Sequence, residues 1–256
     1  MIRAVFFDID GTLLPETKPE VPESTMKAIR RLKEKGILIF AATGRHMLEI
    51  EDLPLEEIPF DGYVLLNGQL CTDKDGRIIS DYEISGPDAE TMLRIFREKE
   101  LPVMIIEKDR MYINMVNDLV EKAQKEIHTP VPETGRYEGG KIYQFVVYAR
   151  EEEVSRLRKE VDECRITSWN PNAVDVIAKG GSKVRGIRQM LSHYHITENE
   201  IMAFGDGEND MEMLSCAGTG VAMGDAGEAL KKNADYVTGP ADQDGVWNAC
   251  CHFGLI

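Results

Sequence analysis

Short runs of consecutive apolar residues recur along the chain, separated by stretches with helical periodicity. The clearest runs are Ala4–Phe7, Ile37–Ala42 and Ile201–Phe204. Apolar runs of this length are typical of strands that are buried on both faces of a parallel sheet. Between the first two runs, apolar residues recur at helical spacing from Ser24 to a capping Gly36. This strand–helix–strand order predicts an α/β fold with a parallel sheet.

The same pattern continues on either side of a long central segment. Asp61–Gly68 reads as a third strand that ends in an Asn-Gly turn, and Asp73–Gly76 reads as a second hairpin turn. After Gly181, Ser182 is a good helix N-cap. A further short strand is predicted at Val221–Gly224, and a short helix near Trp247.

The central segment alternates helices with pairs of short strands. Helices are predicted from Pro87, over Leu119–Ile127 and over Glu151–Val161, and a loop over Thr129–Gly140. The predicted strands of this segment are Val103–Ile106, Met111–Met115, Ile142–Ala149, Ile166–Trp169 and Val174–Ile177. This pattern is typical of an α+β module inserted into the parallel-sheet domain.

Two aspartates follow the first apolar run, with Ile9 between them. Residues two apart in an extended chain point to the same side, so Asp8 and Asp10 are expected to lie close together. Buried carboxylates need a partner, and a site rich in oxygen atoms suits Mg²⁺. Asp10-Gly11 is also a strong hairpin signal, but the prolines between residues 15 and 22 argue against a returning strand.

Three further polar stretches are predicted at the same sheet edge, where ligands of open α/β sheets bind. Thr43-Gly44-Arg45 follows the second strand and is either an ordinary turn or an anion site. Lys183 lies in the first turn of the helix after Ser182, as a solvated lysine or as an anion-binding cation. Gly205–Asp210 follows a buried strand and either caps a helix or adds a Mg²⁺ ligand at Asp206.

Composition narrows the class of protein. The chain has 256 residues, 43% of them hydrophobic and 29% charged, which is ordinary for a globular protein. A net charge of −15 argues against a nucleic-acid or anionic-membrane partner. The five scattered cysteines include no CxxC pair, and we find no signal peptide or apolar span, so a cytoplasmic location is expected.

At this point the motifs resemble a known family. In order, they are Asp8-Ile9-Asp10-Gly11-Thr12, Thr43-Gly44-Arg45, Lys183 and Gly205-Asp206-Gly207-Glu208-Asn209-Asp210. Together they resemble the haloacid dehalogenase (HAD) superfamily phosphatases of the Cof type. The resemblance implies an α/β fold with a Rossmann-like parallel-sheet core, residues 1–82 and 181–256. It also implies an α+β cap domain, residues 83–180, inserted between the second and third motifs.

The resemblance also implies a role for each motif residue. Asp8 would attack phosphorus and form an aspartyl phosphate, with Asp10 as general acid and then general base. Mg²⁺ would be held by Asp8, by the backbone carbonyl of Asp10 and by Asp206. The groups that would bind the phosphate oxygens are Thr43, Gly44, Lys183 and Asn209. The residues that would support these groups are Thr12, Arg45 and Asp210, the last by orienting Lys183 or a metal-bound water.

Two rival functions remain open on the sequence. A sugar phosphomutase of the same superfamily would carry the same acids. A receiver-like regulator also combines acids, a Thr and a Lys, but it is typically half this length and has no large insert. The insert of this chain is better explained as a lid.

The substrate is expected to be a small phosphorylated metabolite, by default a sugar phosphate. The inserted module is expected to select the substrate. The candidate residues for this contact are Arg110, Asn114 and residues 169–175. The sequence does not indicate an oligomeric state.

Overall fold

The structure is a computed structural model that describes residues 1–126 and 129–256, and it divides into two compact units. Met1–Asp81 and Ser182–Ile256 form the first, here called the core unit. Tyr82–Gly181 form the second, here called the inserted unit. The boundaries expected from the sequence, at residues 83 and 180, each lie one residue inside those of the structure.

Helices and strands alternate through the whole chain. The strands are β1 (Ala4–Phe7), β2 (Leu38–Ala42), β3 (Gly62–Leu65), β4 (Leu70–Asp73), β5 (Ile78–Asp81), β6 (Val103–Ile106), β7 (Met111–Ile113), β8 (Gln144–Tyr148), β9 (Cys164–Asn170), β10 (Ala173–Ala178), β11 (Ile201–Gly205), β12 (Thr219–Ala222) and β13 (Tyr236–Val237). The α-helices are α1 (Glu23–Glu34), α2 (Met47–Glu51), α3 (Gly86–Glu98), α4 (Asp118–Glu126), α5 (Glu151–Glu160), α6 (Lys183–Tyr194), α7 (Met211–Cys216), α8 (Glu228–Asn233) and α9 (Gly245–His252).

The core unit is built on one sheet with the strand order β13-β12-β11-β1-β2-β3-β4-β5. The strands from β13 to β3 are parallel, and β4 and β5 extend the sheet as antiparallel hairpins. This arrangement confirms the predicted α/β fold with a parallel-sheet core. Since β1 lies between β11 and β2, the residue that follows β1 lies near the middle of the carboxyl edge.

Burial on both faces explains why β1 contains only apolar residues. All four of its side chains are buried, and on opposite faces Phe6 stacks on Phe40 and Phe7 stacks on Phe204. Phe6 and Phe40 belong to a cluster that includes Ile187 of α6. Burying a large apolar side chain stabilises a fold by about 1.5–3 kcal/mol, so this packing fixes the strand whose end carries the site.

The inserted unit contains an antiparallel sheet with the strand order β7-β6-β8-β10-β9. One face of this sheet shares a buried apolar cluster with α3 and α5. The alternation of strand pairs and helices therefore confirms the predicted α+β pattern. Among the described residues, we find no helix with the length and apolar character needed to cross a membrane.

Short elements account for the differences from the sequence prediction. The helices α2 and α8 and the strand β13, which has two residues, were not predicted. Each is too short to display a full apolar period, and α2 depends on a local cap in which Nδ1 of His46 accepts a hydrogen bond from Leu48 N. The helix expected over Leu119–Ile127 is α4, while Ile127 itself lies outside the described residues.

Candidate active site

Asp8 follows β1 directly and is held by the sheet. Its backbone N–H donates to the carbonyl oxygen of Phe204 over 3.0 Å, which extends the β1–β11 ladder by one residue. The residue is buried, with 7% of its surface exposed. The carboxylate is therefore fixed in place beside the end of β11.

Lys183 is the buried cation beside Asp8. Its Nζ donates to Oδ1 of Asp8 and to Oδ1 of Asp210, each over 2.6 Å, and the residue is 2% exposed. It is the first residue of α6, where Ser182 caps the helix by accepting from Arg185 N. The lysine is therefore not a solvated one, which was the simpler of the two interpretations of the sequence.

Asp210 uses both of its oxygens within the protein. Oδ1 accepts from Lys183, and Oδ2 accepts from the backbone N–H groups of Asp206 and Gly207, each over 3.0 Å. A Cβ on Gly205 would lie 2.5 Å from Asp210, so only glycine fits there. Asp210 thus ties the turn after β11 to Lys183.

Asp206 is held at the edge of the cluster by Thr12. The Thr12 hydroxyl, which is buried, donates to Oδ1 of Asp206 over 3.0 Å. Gly11 has φ of +74°, and a Cβ there would lie 2.2 Å from Oδ2 of Asp206. Glycine at this position therefore makes room for the Asp206 carboxylate.

The acidic cluster consists of Asp8, Asp206 and Asp210, which offer carboxylate oxygens within 4.8 Å of one another. Burial raises the pKa of Asp8 well above its usual value, and burial also raises the pKa of Asp206 to about 6. Burial alone would lower the pKa of Lys183, but the charges of Asp8 and Asp210 outweigh it and raise that pKa. One lysine thus faces three carboxylates, which leaves a local excess of negative charge.

The donor set fits a hard divalent cation. Oδ2 of Asp8 and Oδ2 of Asp206 accept no hydrogen bond from any residue that the structure describes. Two carboxylate oxygens with unused lone pairs, in a cluster with excess negative charge, are ligands of the kind that Mg²⁺ takes. A cation between them would favour the charged carboxylates, which burial disfavours.

Asp10 is placed differently from the sequence expectation. β1 ends at Phe7, so the strand alternation that was expected to bring Asp10 beside Asp8 does not extend that far. The Asp10 carboxylate is about half exposed and accepts two hydrogen bonds from the Arg45 guanidinium, each over 2.7 Å. These hydrogen bonds raise the pKa of Arg45. The close partner of Asp10 is therefore the Arg45 guanidinium, and not the Asp8 carboxylate beside which it was expected to lie.

Thr43 and Gly44 follow β2 on the same edge. Thr43 is 1% exposed, and its backbone N–H donates to Val64 O over 2.9 Å. Its hydroxyl oxygen accepts from Arg45 N over 3.1 Å. Neither the Thr43 hydroxyl proton nor the Gly44 N–H has an acceptor among the described residues, so both donors are available to an anion.

Asn209 lies in the turn after β11, and its Nδ2 donates to Oδ1 of Asn67 over 3.2 Å. The sequence analysis assigned Asn67 only to a hairpin turn and did not include it in the site. The available signal was the Asn-Gly pair at the end of the strand beside β2, which the strand order places on this edge.

Two of the specificity candidates in the inserted unit have internal roles. Asn114 is buried and binds three backbone groups, while Arg110 pairs with Glu107 and Glu138. Asn114 is thus a structural residue, and it is not a candidate for contact with substrate. The candidates at residues 169–175 stay predictions.

Comparison with known proteins gives the family. The sequence model of the haloacid dehalogenase-like hydrolases matches residues 5–250 of the chain. A Bacillus subtilis (strain 168) protein named as a phosphatase, YkrA, is 32% identical over 99% of this chain and 98% of its own length. The match therefore extends over both units of the chain.

Solved structures agree with the sequence match. BT1666 of Bacteroides thetaiotaomicron, described as a phosphatase of the HAD enzyme superfamily, superposes with a TM-score of 0.90 at 33% identity, over 100% of this chain and 96% of its own. The HAD subclass IIB sugar phosphatase BT4131 superposes with a TM-score of 0.84 at 35% identity, over 99% of this chain and 100% of its own.

Proposed function

The chain belongs to the haloacid dehalogenase-like hydrolase family and is a phosphatase, and on this premise we propose its substrate class and mechanism. The proposed reaction is Mg²⁺-dependent hydrolysis of small phosphorylated metabolites, with sugar phosphates as the first candidates, through an aspartyl phosphate on Asp8. The observation that carries the proposal is the buried Asp8–Lys183–Asp210 network, in which Asp8 keeps one oxygen without a hydrogen bond from the described residues.

Asp8 is the proposed nucleophile. Its carboxylate attacks phosphorus in line, and the bond from phosphorus to the substrate oxygen breaks. The leaving oxygen takes a proton from Asp10, which leaves a phosphoryl group on Asp8. Water then gives a proton to Asp10 and attacks the phosphorus, and inorganic phosphate leaves as Asp8 is restored.

Asp8 and Asp206 would hold the Mg²⁺, with the backbone carbonyl of Asp10 as the third proposed protein ligand. When bound, the ion supplies positive charge that offsets the repulsion between the attacking carboxylate and the anionic phosphate. Thr12 orients Asp206 for this role through its hydrogen bond of 3.0 Å.

Arg45 orients the side chain of Asp10. The Arg45 guanidinium donates to both carboxylate oxygens of Asp10, each over 2.7 Å. We assign this paired arrangement to the stage at which Asp10 accepts the proton from water.

Phosphate binding is assigned to four groups with donor atoms at one sheet edge, namely the Thr43 hydroxyl, the Gly44 N–H, Lys183 and Asn209. Lys183 is fixed by two carboxylates, and the donors of Thr43 and Gly44 have no acceptor among the described residues. Fixed donors stabilise the charge of a phosphoryl transition state without reorganising.

The inserted unit is proposed to act as the cap that selects the substrate. Sugar phosphates come first because the solved sugar phosphatase BT4131 is 35% identical over nearly the whole chain. A mutase would use the same acids and would return the phosphoryl group to the substrate.

The test is phosphate release from a panel of phosphorylated metabolites, with Mg²⁺ and with excess EDTA, for the wild type and for Asp8→Asn. We expect release from sugar phosphates that EDTA abolishes and added Mg²⁺ restores, and no release by Asp8→Asn. Release that persists in EDTA would contradict the metal assignment. Conversion of a hexose 1-phosphate to its 6-phosphate without release of free phosphate would show that the reaction is that of a mutase.

A further inference from the structure

The turn after β3 has an unusual backbone for its sequence. Leu66, Asn67 and Gly68 all have positive φ, with values of 51°, 52° and 86°. The left-handed region costs a residue other than glycine about 1–3 kcal/mol, least for asparagine, and such residues concentrate at functional sites. The turn therefore persists because its surroundings hold it.

Those surroundings are the parts of the site described above. The backbone N–H of Asn67 donates to Thr43 O over 3.0 Å, and the N–H of Leu66 donates to Arg45 O over 3.2 Å. On the other side, a Cβ on Gly68 would lie 2.0 Å from the carbonyl oxygen of Ser182, the cap of the helix that carries Lys183. The turn thus packs between the Thr43–Arg45 segment and the start of α6.

The Asn67 side chain connects two of the proposed phosphate-binding groups. A Cβ on Gly44 would lie 3.2 Å from Nδ2 of Asn67, so the amide rests against Gly44. Its Oδ1 accepts the hydrogen bond from Nδ2 of Asn209 over 3.2 Å. Asn67 therefore contacts the turn after β2 and the turn after β11 with one planar group.

This contact decides which end of the Asn209 amide is presented to the site. Oδ1 of Asn209 lies against Gly207, where a Cβ would be 2.6 Å away, and Nδ2 points to Asn67. An NH₂ group has two N–H donors, so Nδ2 keeps one after bonding to Asn67. With the amide reversed, Asn209 would direct a carbonyl oxygen at an anion, which repels it.

We propose that Asn67 is a positioning residue for phosphoryl transfer, which orients the Asn209 amide and fixes its distance from Gly44. This inference rests on the proposed function, because it assigns Gly44 and Asn209 to the phosphate. Asn67 acts through these neighbours and needs no contact of its own with the substrate.

Asn67→Gly separates positioning from turn formation. Glycine adopts the left-handed conformation without strain, so the turn and the fold are retained while the amide is lost. Lys99→Gly is the matched control, since Lys99 is an exposed residue with φ of 55° at the end of α3. Both variants make the same backbone change, and only the first removes the proposed contact.

The experiment measures kcat and KM for a phosphorylated substrate, the melting temperature, and the affinity for inorganic phosphate in the presence of Mg²⁺. For Asn67→Gly we expect kcat/KM to fall by up to about 10²-fold, mainly in kcat, because a small misplacement of binding groups has that effect. We expect phosphate affinity to fall by about tenfold, and Lys99→Gly to match the wild type.

A double-mutant cycle with Asn209→Ala tests the route of the effect. If Asn67 acts through Asn209, Asn67→Gly has little further effect once Asn209 is alanine, since residues that act as one unit are not additive. Fully multiplicative losses would overturn the inference, as would wild-type kinetics and phosphate affinity for Asn67→Gly.

The phosphate measurement separates this inference from the proposed function. A wild type that binds phosphate without hydrolysing any ester would refute the proposed function, and the phosphate affinity of Asn67→Gly would still decide the role of Asn67. A wild type that binds no phosphate would overturn both.

Discussion

Buried polar groups are used differently in the two units. At the carboxyl edge of the core unit, the charged side chains of Lys183, Asp8 and Asp210 bind one another, and two carboxylate oxygens of the cluster keep unused lone pairs. Buried charges that are incompletely paired are costly, so a fold retains them where they have another task.

In the inserted unit, two buried polar side chains, Asn114 and Asp88, bind the backbone instead. Asn114 accepts from Val103 N and donates to Phe96 O and Leu101 O, each over 2.9 Å. Asp88 accepts from the N–H groups of Asp162 and Glu163. Such bonds stabilise the local chain and leave little capacity for a ligand.

The kind of partner therefore distinguishes the residues proposed for chemistry from the residues that support the fold. Asn114 and Asp88 are buried to a similar degree as Asp8 and Lys183, and what differs is the group that each of them binds. Substitutions at the edge of the core unit should therefore affect turnover first, and substitutions at the buried polar groups of the inserted unit should affect stability first. Four variants test this, in order of expected effect on turnover.

Asp8→Asn is expected to abolish turnover, because an amide is a poor nucleophile and the covalent step is lost. The fold should persist, since Lys183 keeps Asp210 as a partner and one excess negative charge is removed. Phosphate release measured with Mg²⁺ checks turnover, and the melting temperature measured in EDTA checks the fold. Turnover near that of the wild type would show that Asp8 is not the nucleophile.

Lys183→Met is expected to affect both properties. Loss of one member of a buried ion pair lowers the free energy of unfolding by about 3–5 kcal/mol. Loss of a cation aimed at the transferring group lowers kcat by about 10²–10³-fold. Lys122→Met, at a lysine whose side chain is 63% exposed on α4, is the control and should change neither quantity.

Thr12→Val keeps the shape of the side chain and removes its hydrogen bond to Asp206. Loss of a bond that orients a metal ligand typically weakens metal affinity by about 10–100-fold. We expect the Mg²⁺ concentration at half-maximal rate to rise by that order, with kcat largely recovered at saturating Mg²⁺. An unchanged Mg²⁺ dependence would remove Asp206 from the metal site.

Asn114→Ala is expected to leave turnover per folded molecule unchanged. It removes the Asn114 hydrogen bonds of three backbone groups, two of them in buried bonds, which lowers the free energy of unfolding by about 1–3 kcal/mol or more. Urea unfolding and kcat measured on the folded fraction check this. A selective loss of kcat with normal stability would mean that the two units do not differ as described.

Strong local signals made the core of the fold predictable. The all-apolar runs of β1, β2 and β11 allowed few alternatives to a buried parallel sheet, and the Ser182 cap placed the start of α6 correctly. The short elements α2, α8 and β13 were missed because they depend on local caps or on a neighbouring strand.

The geometry of the site depended on contacts that no local pattern contains. Lys183 is buried because Asp8, 175 positions away, and Asp210 supply two carboxylates. Asp10 was expected to lie beside Asp8, but the strand ends before it and Arg45 binds it. Asn67 looked like a turn residue because its partners, Gly44 and Asn209, lie in other loops.

The most direct measurement is chemical trapping of the phosphoryl group during turnover. The wild type would be quenched in acid while hydrolysing its best substrate, reduced with borohydride, which converts an aspartyl phosphate to homoserine, and mapped by peptide mass spectrometry. The account predicts homoserine at position 8, dependent on substrate and Mg²⁺, and none in Asp8→Asn. An unmodified Asp8 at full turnover, or a trapped phosphoryl group on another residue, would contradict it.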